Sequence, residues 1–141
     1  MHRFEIRVRY GDTDQMGFAY YGNYMRWFEI GRAELMRAMG RSYRDVEAEG
    51  TQLPVVEANC RYLKPARYDE LVVICTAVAH LGRASVRFAY RVESGESNDL
   101  LAHGHTEHCF MDRDGRPTRP PAELREMLDR ALTLDSASKS T

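Results

Sequence analysis

The sequence predicts an α+β fold in which an antiparallel sheet curls over one long helix. Three observations lead there. A single long stretch carries apolar residues at helical spacing, Tyr24, Phe28, Gly31, Leu35 and Ala38, widened by Trp27 and Met39. One segment of period two precedes it. Four strand-length segments follow, separated by short turn signals, which is the order of hairpins and not of parallel crossovers.

Phe4-Glu5-Ile6-Arg7-Val8-Arg9-Tyr10 alternates apolar and charged residues, so it is read as a half-buried strand with Phe4, Ile6, Val8 and Tyr10 inward. Residues 11–17 are turn-rich. The long helix starts between 21 and 23 and runs to about 39, with Gly40 as its C-terminal stop. Gly31 inside it costs about 1 kcal/mol of helix propensity against Ala, which predicts close approach of another backbone or a ligand to that face. Ser42-Tyr43-Arg44-Asp45 has the form of a capping box with Asp in place of Glu, and opens a short second helix ending at Gly50.

Strands are predicted at 53–63, 69–81, 84–94 and 100–111. Lys64-Pro65-Ala66-Arg67, Gly82 and residues 94–99 separate them. The third and fourth are long and rich in Val, Cys, Phe and Tyr, and are expected to supply edges that pair between subunits, hence a homo-oligomer. The turn Asp112-Arg113-Asp114-Gly115 and a Pro-rich link lead to a terminal helix at 122–132. One domain is expected over residues 1–134, with a disordered tail at 135–141.

A chain of 141 residues can build one core without disulfide or metal staples. Its net charge of −1 gives no general attraction to nucleic acid or to an anionic membrane. The opening residues lack the apolar core of a signal peptide, and no apolar run approaches the roughly 20 residues of a membrane span. Cys60, Cys75 and Cys109 are odd in number and widely spaced, which fits small core residues in a reduced cytoplasm better than disulfides or a zinc site.

Chemistry concentrates in residues 10–29. Asp12 and Asp14 sit in a turn that feeds a helix start. A carboxylate there can act as base or nucleophile, and the first N–H groups of a helix can hold a developing negative charge. Either aspartate can also be a turn-forming residue that bonds its own backbone, and Asp12 is assigned that role. Glu29 is read as an ion-pair partner of Arg26 or Arg32, with a catalytic carboxylate as the alternative. His103, His105 and Glu107 share one face of a strand, with His108 nearby. Paired histidines at an oligomer seam explain them better than a metal site, so no metal is expected.

Tyr10, Asp12-Thr13-Asp14, Gly17, Tyr20, Asn23-Tyr24, Trp27-Phe28 and Glu29 together resemble the signature of the hotdog-fold acyl-CoA thioesterases. The branch is that of 4-hydroxybenzoyl-CoA thioesterase, which includes the short enzymes encoded beside the Tol-Pal envelope system. The resemblance implies hydrolysis of a small or aromatic acyl-CoA to acid and coenzyme A. Asp14 would be nucleophile or general base, and the Tyr21 backbone amide the oxyanion donor. Many Tol-Pal-associated relatives carry histidine where this chain has Tyr21 and others carry an aromatic residue; the aromatic version tilts the expectation toward an aromatic or bulky acyl group. Tyr20 and Tyr24, with Trp27 and Phe28, are candidates for the acyl pocket. Arg83, Ser85, Arg116 and Arg119 are candidates for the coenzyme A phosphates, because arginine offers forked cationic donors. No cofactor is implied beyond the coenzyme A of the substrate. The expected assembly is a dimer with its active site between subunits, or a tetramer of two such dimers. A hotdog hydratase or dehydratase, or a non-catalytic acyl-CoA binding module, are the alternatives. The first needs an acid–base pair, commonly with a histidine near the helix, and this chain has none between His2 and His80.

Overall fold

A computed structural model of the chain describes residues 1–139, with side chains through residue 135. The element order is β1 (His2–Arg7), a single 3-10 turn (Tyr10–Asp12), α1 (Asn23–Ala38), α2 (Tyr43–Ala48), β2 (Val55–Tyr62), β3 (Leu71–Leu81), β4 (Ser85–Ser94), β5 (Leu100–Cys109) and α3 (Ala122–Lys139). The predicted order is therefore observed. The helical backbone of α3 continues past the expected end at 132, and of the tail expected to be disordered, residues 140–141 lie outside those described.

The five strands form one antiparallel sheet in the order β1-β3-β4-β5-β2. Register shifts at Val78/His80, Val92/Glu93 and Val55/Glu57 mark bulges, which add local twist and help the sheet curl. The third and fourth predicted strands, β4 and β5, have neighbours on both sides, so they are not the edges. The edges are β1 and β2. Hydrophobic alternation marks which face of a strand is buried but not which strand lies outermost.

The sheet wraps α1. Tyr24, Trp27, Phe28, Gly31, Leu35 and Met36 are the buried helix positions; Met36 takes the place expected for Ala38, which is exposed. Phe28 stacks on Tyr90 of β4 with ring centroids 4.2 Å apart. At Gly31 an added Cβ would lie 2.4 Å from Thr76 Oγ1 and 2.8 Å from Ile74 Cγ2. The close approach predicted at this glycine is therefore that of β3. Leu124, Met127, Leu128 and Ala131 of α3 complete the same core.

Ser42 caps α2 by accepting the Asp45 N–H at 3.1 Å, and Gly40 has the positive φ of +100° that a helix C-terminus favours. Val8 is fully buried, whereas Tyr10 is 78% exposed. The chain leaves the strand at Arg7 and turns at Tyr10–Asp12, so the alternation no longer governs Tyr10.

Candidate active site

The acidic turn is fastened to α1 through Asp12. This carboxylate is 7% exposed. Its Oδ1 accepts from Arg26 at 2.7 Å and its Oδ2 from the Arg9 N–H at 2.9 Å. The Asp12 carbonyl accepts from the Tyr20 N–H and from Asn23 Nδ2, both at 2.8 Å. Asp12, Asn23 and Arg26 thus lock the loop onto the first turn of the helix. Asp12 stabilises the turn, the structural role expected of it.

Asp14 is placed differently. It is half-buried, and its Oδ1 accepts the Met16 N–H at 2.9 Å and the Phe18 N–H at 3.3 Å. Its own N–H donates to the Phe18 carbonyl at 2.8 Å, and its carbonyl accepts from Gly17, whose φ of +82° closes the turn. Among the described residues, Oδ2 has no hydrogen-bond partner. The loop is tied to the β2–β3 connection by the Ala19 N–H to Ala66 carbonyl bond at 2.7 Å and by Arg67 lying 5.0 Å over the Phe18 ring.

Asp14 and Tyr21 line one cavity of about 310 Å³, together with Phe18, Tyr24, Tyr62 and Lys64. The Tyr21 N–H has no acceptor among the described residues. It precedes Asn23, where α1 begins, so it adds to the positive end of the helix dipole. The Tyr21 carbonyl is held from the other side by the Tyr62 hydroxyl at 3.2 Å. Tyr62 also meets Tyr24 edge-on, with centroids 4.9 Å apart. Burial, then neighbouring Cys60, pushes the Tyr62 hydroxyl up to about 12, so it stays protonated and donates. Burial also raises the Cys60 and Cys75 thiols, which keeps both protonated and poorly nucleophilic at neutral pH.

Tyr24 is buried in the cavity wall. Tyr20 is exposed and leans on Tyr21 at 4.6 Å, outside that wall. Trp27 and Phe28 belong to the core. Glu29 is exposed and lies further along α1. Tyr62 and Lys64 were missed in the sequence because nothing in it marks β2 as the strand that ends beside Tyr21.

Arg83 and Arg119 line a separate cleft of about 410 Å³ with Pro120, Ala122 and Arg125. Arg125 donates to the Gly82 carbonyl at 3.0 Å; its place one turn into α3, just after Arg119-Pro120-Pro121, was a usable signal. Ser85 borders this region, where its carbonyl accepts the Gly82 N–H at 2.8 Å, but it is not in the cleft wall. Arg116 is held apart in the Asp112 turn, its N–H donating to Asp112 Oδ1 at 3.0 Å.

The strand histidines do not converge. His105 pairs with Glu57 at 3.0 Å, and Glu107 with Arg87 at 2.7 Å, on the outer face of the sheet. His108 points inward and is 1% exposed.

Comparison with known proteins agrees with this fold. The Thioesterase superfamily model matches residues 16–100. Acyl-CoA thioester hydrolase YbgC of Escherichia coli O6:H1 is 32% identical over 101 residues, 72% of this chain and 75% of that protein. The Bacillus subtilis protein YneP is 34% identical over 110 residues, 78% of this chain and 79% of that one. The crystal structure of a DHNA-CoA thioesterase from Staphylococcus aureus superposes with a TM-score of 0.89 at 31% identity, covering 96% of this chain and 93% of that one. With the sheet, the central helix and the acidic turn in place, the chain belongs to the thioesterase superfamily and is a hotdog-fold thioester hydrolase.

Proposed function

We propose that this protein hydrolyses an acyl-CoA thioester, with Asp14 as the catalytic carboxylate and the Tyr21 N–H as the oxyanion donor. One observation carries the reading: a carboxylate with an unengaged oxygen and a backbone N–H without an acceptor line the same cavity. Asp14 attacks the thioester carbonyl, or takes the proton of a water that does. Both routes pass through one tetrahedral oxyanion. A donor preorganised at that oxygen contributes about 3–4 kcal/mol to the transition state. The thiolate leaves with little protonation, so the machinery needs no strong general acid and no cofactor beyond the coenzyme A of the substrate. No histidine lines the cavity among the described residues, which disfavours the acid–base pair of a hydratase. Its walls of Phe18, Tyr21, Tyr24 and Tyr62 suit an aromatic or other compact acyl group.

The Arg83, Arg119 and Arg125 cleft is the phosphate site in this reading. Within one chain it lies toward the far end of the sheet. Tyr62 is in register with Ala102, and Ser85 with Cys109, a separation of about 23 Å along β5. A two-fold pairing of β2 edges resolves the distance. Val55, Val56, Tyr62 and Leu63 are 46%, 61%, 45% and 48% exposed on that strand and its exit. Antiparallel pairing sets the Tyr62 end of one protomer beside the Val55 end of the next, the end that carries the arginine cleft. The dimer would then bring each Asp14 toward the arginines of the partner subunit. The test is thiol release from aliphatic, benzoyl, hydroxybenzoyl and phenylacetyl-CoA, with Asp14→Asn beside the wild type. Turnover that vanishes in a folded variant is the expected result. A folded, fully active Asp14→Asn protein sinks the proposal.

A further inference from the structure

A further, partly open cavity of about 280 Å³ lies between α1, α2 and the segment entering β2. Its lining includes Arg32, Met36, Tyr43, Leu53 and Val55, with Glu29. Arg32 is half-buried there. Among the described residues it makes no ion pair, and its one hydrogen bond is a long one, 3.5 Å to the Tyr90 hydroxyl. A half-buried guanidinium without a carboxylate partner offers its forked donors to an anionic ligand.

What stands behind Arg32 is built. Tyr90 OH and Thr106 Oγ1 are 2.6 Å apart, Thr106 Oγ1 and His108 Nε2 are 2.8 Å apart, and His108 Nδ1 lies 3.0 Å from the Leu53 carbonyl. That carbonyl can only accept, so His108 donates from Nδ1 and, being neutral, accepts at Nε2. The direction then propagates: Thr106 donates to His108, Tyr90 to Thr106, and Arg32 to Tyr90. Every polar atom of the chain is used, and it ends on Leu53, a residue of the same cavity wall. The Leu53 N–H is in turn directed at the Tyr43 hydroxyl at 3.4 Å. One guanidinium donor is thereby steered inward by a fixed relay, and the others remain for the cavity.

We propose that this cavity is a carboxylate-binding subsite with Arg32 as its binding group. Glu29 is exposed at the cavity and sits three residues before Arg32 on the helix, yet the two do not pair. The negative charge of Glu29 at the cavity opposes an incoming ligand carboxylate, so neutralising it should tighten binding. The carboxylate comes either from a free acid, such as the product of thioester hydrolysis, or from the far end of an acyl chain that carries one. The second source rests on the thioesterase reading. Arg32 is about 16 Å along α1 from Tyr21, and the β2 edge pairing would also bring this cavity toward the Asp14 site of the partner subunit.

The experiment is titration of the intact protein with sodium benzoate and sodium glutarate, followed by calorimetry and by the arginine Nε–H resonances. Wild type, Arg32→Lys, Arg32→Gln, Glu29→Gln and Asp14→Asn are compared. Binding is expected in wild type and in Asp14→Asn, weakened about tenfold or more in Arg32→Gln, intermediate in Arg32→Lys, and tightened in Glu29→Gln. The second arm compares kcat/KM for carboxylate-ended and methyl-ended acyl-CoA of equal length. A preference for the carboxylate that is lost in Arg32→Gln assigns the acyl source; binding of free acids without that preference assigns the free-acid source. No Arg32-dependent binding and no Arg32-dependent preference overturns the proposal, even if Asp14-dependent thioesterase activity is found. Weaker binding in Glu29→Gln overturns it as well, since a purely structural Glu29–Arg32 relation would give that sign.

Discussion

Asp12 and Asp14 are two residues apart, and the roles proposed for them require that they fail in opposite ways when neutralised. In Asp14→Asn the amide oxygen can still accept from Met16 and Phe18 at the positions Oδ1 now holds. The turn survives, and the stability change should stay below about 1 kcal/mol, the scale of one neutral hydrogen bond. The reaction loses its base or nucleophile, a loss of about a hundred- to ten-thousand-fold, or about 3–5 kcal/mol of barrier. In Asp12→Asn the Arg9 N–H keeps an acceptor, but the charge facing Arg26 disappears. Removing one partner of a fully buried pair costs about 3–5 kcal/mol. Arg26 is 51% exposed, so water takes over most of its solvation and about 1–2 kcal/mol is the reasonable figure. Urea unfolding and single-turnover thiol release, run on both variants, read the two effects separately. The reasoning is refuted if Asp14→Asn is the less stable protein, or if it keeps more than about a tenth of the wild-type rate while Asp12→Asn is the inactive one.

Three further outcomes follow from the packing and the charges. Gly31→Ala should destabilise the protein although alanine is the better helix former by about 1 kcal/mol, because the new methyl overlaps Thr76 and overpacking costs about 1–3 kcal/mol; the loss in Tm should shrink in a Thr76→Ala background. Burial lowers the His108 pKa from its ordinary value of 6.5. The unfolded chain therefore takes up a proton first as pH falls, so stability is complete above about pH 6.5 and declines below it as far as the lowered folded value; Tm against pH should show that slope in wild type and a weaker one in His108→Leu. Arg119→Gln and Arg125→Gln should each raise KM for acyl-CoA about tenfold, the low end for a charge-assisted bond, with kcat nearly unchanged. The same variants should not alter KM for an acyl thioester of N-acetylcysteamine, which has no phosphates, and Arg116→Gln should alter neither.

Much of the candidate site was legible because it is contiguous. The acidic turn, the helix start and the buried stripe all fall between residues 10 and 40, and the roles of Asp12 and Gly31 could be assigned before the fold was known. The inward placement of Tyr10 and the edge positions of β4 and β5 were misread for a single reason. Alternation describes one strand at a time and carries no information on where a strand stops or what flanks it. Tyr62 and Lys64 escaped notice because each reaches its site only through a contact far along the chain.

The sequence by itself determined the element order, the helix face that is buried, the acidic turn that precedes it and the family to which these belong. Those features rest on periodicity and on turn chemistry within a few residues of one another. The tertiary structure decided the sheet order, and with it the two exposed edges. It also decided the pairing of Tyr62 with Tyr21, the meeting of Arg83 with Arg119 and Arg125, and the relay from Arg32 to Leu53. Several sheet orders satisfy the same alternation of buried and exposed residues. Only the packing of all five strands around α1 selects one of them, and that selection places side chains from distant segments within hydrogen-bonding reach.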